Sequence, residues 1–212
     1  MMVGHPDVCA LSSSENLLLI VPMFHANGWG LPFASMIAGC RLVLPGPRLD
    51  GASLHRLITA ERCTLSAAVP TVWYGLLQHL RSQPGASLAP LKRVIIGGAA
   101  TPESLLVAFE KEYDISVACA YGMTETSPLL TLNTEKSGVA RTLVQKLKAG
   151  RTMFTADCRI VDDSGKELAW DGVTSGHLQA RGPGVIRSYL KLPPYEGAWF
   201  ATGDIATIDE HG

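Results

Sequence analysis

Charge is sparse in this 212-residue chain. Asp, Glu, Lys and Arg make up 17% of it, and 18 Lys plus Arg against 19 Asp plus Glu leave a formal net charge of -1. A chain with no basic excess has little to neutralise a row of phosphates with, which argues against a nucleic-acid binder. Long hydrophobic runs are also missing. No stretch of about 18 consecutive apolar residues occurs, so no membrane-spanning helix is expected. The opening MMVGHPDVCALSSSEN has neither a basic start nor a long apolar core, so no secretory signal is visible and a cytoplasmic location is expected. Cysteine is scarce and unpaired in pattern. The five, at 9, 40, 63, 119 and 158, are odd in number and form no C-x-x-C, which reads as reduced, buried thiols. The six histidines are scattered, with no H-E-x-x-H and no Cys/His zinc spacing. Both phosphate fingerprints, G-x-G-x-x-G and G-x-x-x-x-G-K-[ST], are absent, as is the G-x-S-x-G elbow of a hydrolase.

What is present is apolar substance. Hydrophobic residues reach 47%, enough for a well-buried core and too many for a disordered chain. The length suits one large domain or slightly more. Through about residue 130, short apolar runs alternate with helical patterns. Leu17 to Val21, Arg41 to Leu44, Leu65 to Val69, Arg93 to Ile96 and Ser116 to Ala120 each stop at Pro, Gly or Tyr-Gly, as buried strands do. Between them, Ser53 to Glu61 puts Leu54, Leu57 and Ile58 on one helical face, and Val72 to Leu80 does the same with Val72, Leu76, Leu77 and Leu80. Thr101-Pro102-Glu103 reads as a cap, a first-position Pro and a favourably placed acid, opening a helix to about Glu112.

This alternation predicts an α/β fold, a parallel sheet flanked by helices, in residues 1–132. Residues 133–149 read as a polar connecting segment without a clear strand. Residues 150–212 carry closely spaced Gly-punctuated strands, with a hairpin turn at Asp163-Ser164-Gly165-Lys166, and read as a small β-rich, barrel-like subdomain. In open α/β sheets ligands bind beyond the carboxyl ends of the strands, so the strand ends hold the candidates.

Four such segments stand out. Tyr121-Gly122-Met123-Thr124-Glu125-Thr126-Ser127-Pro128 gathers hydroxyls suited to phosphate oxygens, a carboxylate suited to Mg²⁺ and an aromatic suited to stacking on a base. It reads equally as a polar strand-to-loop turn. Gly97-Gly98-Ala99-Ala100 either admits a flat ligand against the backbone or makes a tight strand-to-helix turn. Phe24-His25-Ala26-Asn27-Gly28-Trp29-Gly30 either walls a pocket or packs as one aromatic cluster. Trp199-Phe200-Ala201-Thr202-Gly203-Asp204 ends in an acid that would accept a ribose diol or cap a turn.

In this order and spacing, FHANGWG, VIIGGAA, YGMTETSP, GHLQARGPGVIRSYL and WFATGDIATIDEHG resemble the adenylate-forming enzymes, and the likeness covers nearly the whole chain. The stretch from Val21 to Leu54, with VPTVWYGLL after it, is most similar to medium- to long-chain fatty-acid CoA ligases. The resemblance implies activation of a carboxylic acid by ATP to an acyl adenylate, then transfer of the acyl group to coenzyme A. It implies roles residue by residue. Tyr121 would stack on adenine, with the backbone of Gly98, Ala99 and Ala100 on the other face and Gly122 and Met123 adjoining. Thr124 would contact phosphate, Glu125 would hold Mg²⁺, and Asp204 would hold the ribose hydroxyls of ATP and AMP. His25 and Trp29 would line the acyl and thiol-entry region, and Val72 and Trp73 the acyl-pocket wall.

The chain also departs from that pattern. Members of the family carry a Ser/Thr/Gly-rich phosphate loop ahead of the FHANGWG region, and a hinge and Lys-bearing domain after the TGD segment. Neither is in these 212 residues, so an internal fragment, inactive alone, is expected. A Gly-Pro-rich turn common in the family is replaced by Arg151-Thr152-Met153-Phe154-Thr155. A second reading is a non-catalytic, truncated nucleotide-binding or interaction remnant. A third, a peptide-synthetase module, would need a carrier domain downstream.

Overall fold

The computed structural model describes residue 5, residues 8–134 and residues 141–212. The part of the connecting segment at 135–140 lies outside the described residues. Seven strands form one sheet in the order β2-β1-β3-β4-β5-β6-β7. Five run parallel: β1 (Asn16–Leu19), β2 (Arg41–Val43), β3 (Leu65–Ala68), β4 (Arg93–Ile96) and β5 (Ser116–Gly122). The sheet is mixed rather than purely parallel, because β6 (Leu129–Leu132) and the two-residue β7 (Arg151–Thr152) add to it antiparallel. In the parallel part helices carry the chain back between successive strands, whereas a short turn after β5 returns the chain directly, which only the antiparallel sense allows.

Both faces of the parallel part are covered, which is why its strands read as continuous apolar runs instead of alternating ones. Side-chain parity still sorts them. Leu18, Val94 and Ile96 face one way and pack with Leu54 and Ile58 of α3 (Gly51–Ala60), Trp73, Leu76 and Leu77 of α4 (Pro70–Arg81), and Leu105 and Phe109 of α5 (Glu103–Glu112). Leu17, Leu19, Val21 and Ile95 face the other way, against Leu31 and Ala34 of α2 (Leu31–Ala38), Leu132 and Met153. A one-residue slip in any strand would exchange its two faces.

Local chemistry sets the helix starts. Asp50 accepts from the Ser53 backbone N–H at 2.9 Å and caps α3. Pro70 occupies the start of α4, where its missing N–H costs nothing. The cap expected at Thr101 is displaced by one residue. Pro102, with φ -67° and ψ 140°, holds the N-cap position of α5, no side chain bonds there, and Thr101 is turned into the interior. The segment without a clear strand contains a short helix, α6 (Leu143–Leu147), opened by a reciprocal Thr142–Gln145 capping box. Its far end is closed by the Asn133 amide, which donates to the Gln145 and Lys148 carbonyls at 2.7 Å each.

Beyond the first sheet, β8 (Asp157–Val161), β9 (Ser175–Arg181) and β10 (Phe200–Thr207) form a three-stranded antiparallel sheet in the order β10-β9-β8. The turn at 162–166 leads from β8 to an isolated bridge between Val161 and Glu167 rather than straight into β9. This small sheet packs Leu178, Ile160 and Ile208 on one side of Tyr121 and Ala180, Val185 and Phe200 on another, so that ring sits where the two sheets meet.

Candidate nucleotide and acyl site

A cavity of about 320 Å³ opens at the carboxyl ends of the parallel strands. Its floor is apolar, from Leu31, Ala67, Ile95, Leu129 and Leu132. Its rim holds His25, Trp29, Gly98, Tyr121, Gly122, Met123, Thr124 and Glu125. Residues separated by a hundred positions in sequence converge there because β1, β4 and β5 all end on the same side of the sheet.

The His25 side is built on unusual backbone. After His25 the chain makes α1 (Ala26–Trp29), a turn in which Ala26, Asn27, Gly28 and Trp29 have φ of 45°, 56°, 62° and 55°, followed by Gly30 at 71°. Left-handed conformation costs a non-glycine residue roughly 1 kcal/mol or more, so three such residues within four positions, Ala26, Asn27 and Trp29, store strain beside the cavity. The turn lays the Trp29 indole against the glycine pair: a Cβ at Gly97 would lie 3.3 Å from it, and one at Gly98 3.6 Å. Phe24 is 92% exposed, so the two aromatics do not pack as one cluster.

The Tyr121 side is set by a break in the β5–β6 ladder, where the register shifts between Tyr121 and Gly122. Such bulges re-aim side chains. Only glycine fits at 122, because a Cβ there would sit 1.9 Å from the Pro128 carbonyl oxygen. The following 3-10 turn (Thr124–Thr126) is locked by Thr126, whose hydroxyl donates to the Pro128 carbonyl at 2.8 Å and accepts from the Met123 N–H at 3.0 Å. Thr126 is therefore spent on structure, while the Thr124 side of the same turn is exposed at the cavity.

Asp204 reaches the site from the second sheet. The β9–β10 ladder shifts register between Ala201 and Ile205, and the loosened stretch lets the Asp204 carboxylate accept the Tyr121 hydroxyl. Burial, then this carboxylate, pushes the Tyr121 phenol well above its ordinary pKa. Asp204 lines a neighbouring cavity of about 410 Å³, and Tyr121 walls both.

Glu125 is held by the end of the GHLQARGPGVIRSYL segment, to whose residues the sequence attached no role. The Tyr189 hydroxyl donates to Glu125 Oε1 at 2.8 Å, and the Ile186 N–H donates to the Glu125 carbonyl at 2.8 Å. That hydrogen bond pushes the Tyr189 phenol up to about 12. The donors offered here are oxygens, one carboxylate and one hydroxyl. Among the described residues no group of three or more His, Cys, Asp and Glu gathers as a metal cage. A lone carboxylate beside a phosphate-sized space is what Mg²⁺ uses when nucleotide and water complete its shell, so the residues fit that ion.

Four expected site residues lie elsewhere. Ala99 and Ala100 are exposed past the rim and line neither cavity. Val72 is half-buried against the α3–α5 core. Trp73 is fully buried there, its indole N–H donating to the Ala68 and Ile95 carbonyls at 3.2 and 3.4 Å and its ring meeting Phe109 edge-on. The sheet separates it from the cavity. Cys9, by contrast, lines the cavity unforeseen, and burial pushes its thiol up to about 12, so it is no nucleophile near neutral pH. All five cysteines are free, and Cys9, Cys63 and Cys119 are buried.

A glycine pair, a phenol bonded to an acid from a second sheet, and an acidic turn thus meet at the strand ends of an α/β fold with a small antiparallel β subdomain. The AMP-binding enzyme family matches residues 2–190, and the chain belongs to that family, within the adenylate-forming acyl-CoA ligase superfamily. It is 42% identical over 214 residues to the 3-methylmercaptopropionyl-CoA ligase of Ruegeria lacuscaerulensis, covering 97% of this chain and 40% of that protein. It is 40% identical over 220 residues to the medium-chain-fatty-acid–CoA ligase of Ectopseudomonas oleovorans, covering 100% of this chain and 40% of that protein. Among solved structures it is similar to the N-terminal domain of FACL13 from Mycobacterium tuberculosis, with TM-score 0.79 and 27% identity over 95% of this chain and 50% of that one. It is also similar to o-succinylbenzoate CoA synthetase from Bacillus subtilis in complex with the acyl-adenylate intermediate, with TM-score 0.78 and 25% identity over 95% of this chain and 40% of that one. The chain thus spans 40% of the length of these two curated relatives. Among the described residues no helix is long and apolar enough to cross a membrane.

Proposed function

We propose that these residues are the adenine-, ribose- and metal-facing part of an ATP-dependent acid–thiol ligase acting on a fatty or similarly apolar acid. The observation that carries this reading is the convergence of Gly98, Tyr121, Thr124 and Glu125 on one cavity, with Asp204 bonded to the Tyr121 hydroxyl from the other sheet. In the first half-reaction a carboxylate oxygen of the acid attacks the α-phosphorus of ATP and pyrophosphate leaves. In the second, the sulfur of coenzyme A attacks the acyl carbonyl carbon and AMP leaves. No side-chain nucleophile is needed, in keeping with a cavity whose one cysteine stays protonated.

In this reading the Tyr121 ring faces adenine across the backbone of Gly98, and Ala99 and Ala100 border its outer edge. Gly122 and Met123 shape the rim, and Asp204 turns its free carboxylate oxygen to the ribose. Thr124 offers its hydroxyl to phosphate. Mg²⁺ held at Glu125 would neutralise charge on the phosphates. His25 and Trp29 border the acyl and thiol end, and the apolar floor of Leu31, Ala67, Ile95, Leu129 and Leu132 receives the acyl chain. Positioning and charge stabilisation then do the catalysis. Full turnover is proposed to need the further length that the relatives have; the 212 residues alone hold nucleotide and turn over near background.

Glu125→Gln tests the reading. It keeps side-chain size and removes the charge for the metal. In the complete protein, fatty-acid-dependent ATP–pyrophosphate exchange should fall by at least about 100-fold, equivalent to about 3 kcal/mol of transition-state stabilisation. Exchange at the native rate in that variant rules out the metal role.

A further inference from the structure

We propose that Tyr189 is a positioning residue that aims the Glu125 carboxylate at the metal–nucleotide complex. The inference rests on the reading of Glu125 as the metal-holding acid. A carboxylate on an exposed turn is free to rotate, and a single ionic ligand that rotates holds a hard cation poorly. Tyr189 removes that freedom: its hydroxyl donates to Oε1 at 2.8 Å, which fixes the carboxylate plane and leaves Oε2 for a cation.

The phenol is itself built into place. The loop between β9 and β10 is fastened to the Glu125 turn by the Ile186 N–H to Glu125 carbonyl bond of 2.8 Å. It folds back on itself through the Tyr195 N–H to Arg187 carbonyl bond and the Leu192 N–H to Tyr189 carbonyl bond, of 2.9 and 3.0 Å. Aromatic rings then carry the support inward. Tyr189 meets Tyr195 edge-on at 6.1 Å, and Tyr195 leans on Phe200 at 5.5 Å, at the start of the strand that bears Asp204. Tyr189 is 44% exposed, so core packing does not account for its position. Glu125 and Asp204, the acids assigned to metal and ribose, are thus each held by a tyrosine hydroxyl, one from the β9–β10 loop and one from β5. Groups that orient a metal ligand in this way typically change metal affinity by about 10–100-fold when removed.

Tyr189→Phe deletes one oxygen and keeps the ring stack. On the 212-residue chain, Mn²⁺ is titrated in the presence of ATP by electron spin resonance, and AMP binding is measured without metal. Native, Tyr189→Phe and Glu125→Gln chains are compared after circular dichroism shows equal folding. The expected result is Mn²⁺ affinity about tenfold lower in Tyr189→Phe, lower again in Glu125→Gln, and AMP affinity equal in all three. A loop that merely anchors the fold would leave the Mn²⁺ constant untouched. Native Mn²⁺ affinity in Tyr189→Phe with a loss in Glu125→Gln overturns the proposal and leaves the metal reading standing. Native affinity in Glu125→Gln, or no Mn²⁺–ATP complex with the native chain, overturns the metal reading and the proposal with it.

Discussion

At Gly122 a single hydrogen decides whether the cavity rim closes. Any β-carbon there meets the Pro128 carbonyl oxygen at 1.9 Å and the Leu129 Cα at 2.9 Å, both backbone atoms that cannot swing away. Gly122→Ala should therefore destabilise the chain by about 3 kcal/mol, the upper end of overpacking costs, and be read as an earlier urea midpoint with unchanged slope. An unchanged midpoint would mean that the 122–128 turn opens without cost. The hydroxyl-rich segment around this glycine was legible as a candidate from its chemistry, beside an equal reading as a polar turn. Which hydroxyl faces the cavity came from the resemblance alone, because Thr124 and Thr126 are the same residue two positions apart. Only the 3-10 turn separates them, sending Thr126 inward to brace Pro128. Tyr189 sits within the quoted GHLQARGPGVIRSYL segment, but its pairing was not legible: it lies 64 residues from Glu125, and nothing in local pattern names a distant acid as its partner.

Secondary-structure elements were legible where burial on both faces left long apolar runs between Pro and Gly. All five parallel strands lie within a residue or three of their expected ends. β7 was invisible because two residues carry no period, and α6 because five residues of helix depend on Asn133 and on the Lys146–Glu110 ion pair at 2.7 Å instead of a face of their own. α2 hid behind its composition: Phe33, Met36 and Ile37 stay exposed, so no polar side marks the period. The expectation that Trp73 borders the acyl chain rests on the resemblance; the structure places Trp73 on α4, against the sheet face opposite the cavity, and sequence pattern does not separate the two faces. Trp73 pins α4 to β3 and β4 through its indole N–H. Trp73→Phe should cost about 2 kcal/mol in urea denaturation, from a lost hydrogen bond and lost volume, and leave acyl-chain preference unchanged. A shifted chain-length preference would return Trp73 to the pocket wall.

Across the whole molecule, the two sheets are legible as a switch from strand–helix alternation to closely spaced strands, but their meeting at one ring is not. That Asp204 belongs with Tyr121 came from family resemblance alone; the geometry behind it is a register shift in each of two ladders, at 121–122 and at 201–205. Each shift contains a strand glycine, Gly122 and Gly203, a sign of a bulge, but no local pattern says that the two bulges meet at Tyr121, which packs into two clusters of the small sheet at once.

Tyr121 is a wall shared by two chambers. It lines both the 320 Å³ cavity and the 410 Å³ cavity of Lys148, Trp170, Asp204 and Ile205. If an occupant of the second chamber shifts the ring, the surface offered to a ligand in the first changes, and linkage makes the effect mutual: the two affinities change by one common factor. Calorimetric titration of AMP into the chain, with and without a small molecule seated beside Trp170, should give two dissociation constants. Their ratio should equal that of the small molecule measured with and without AMP. Identical AMP constants would show a rigid wall, and the chambers would then be neighbours that do not communicate.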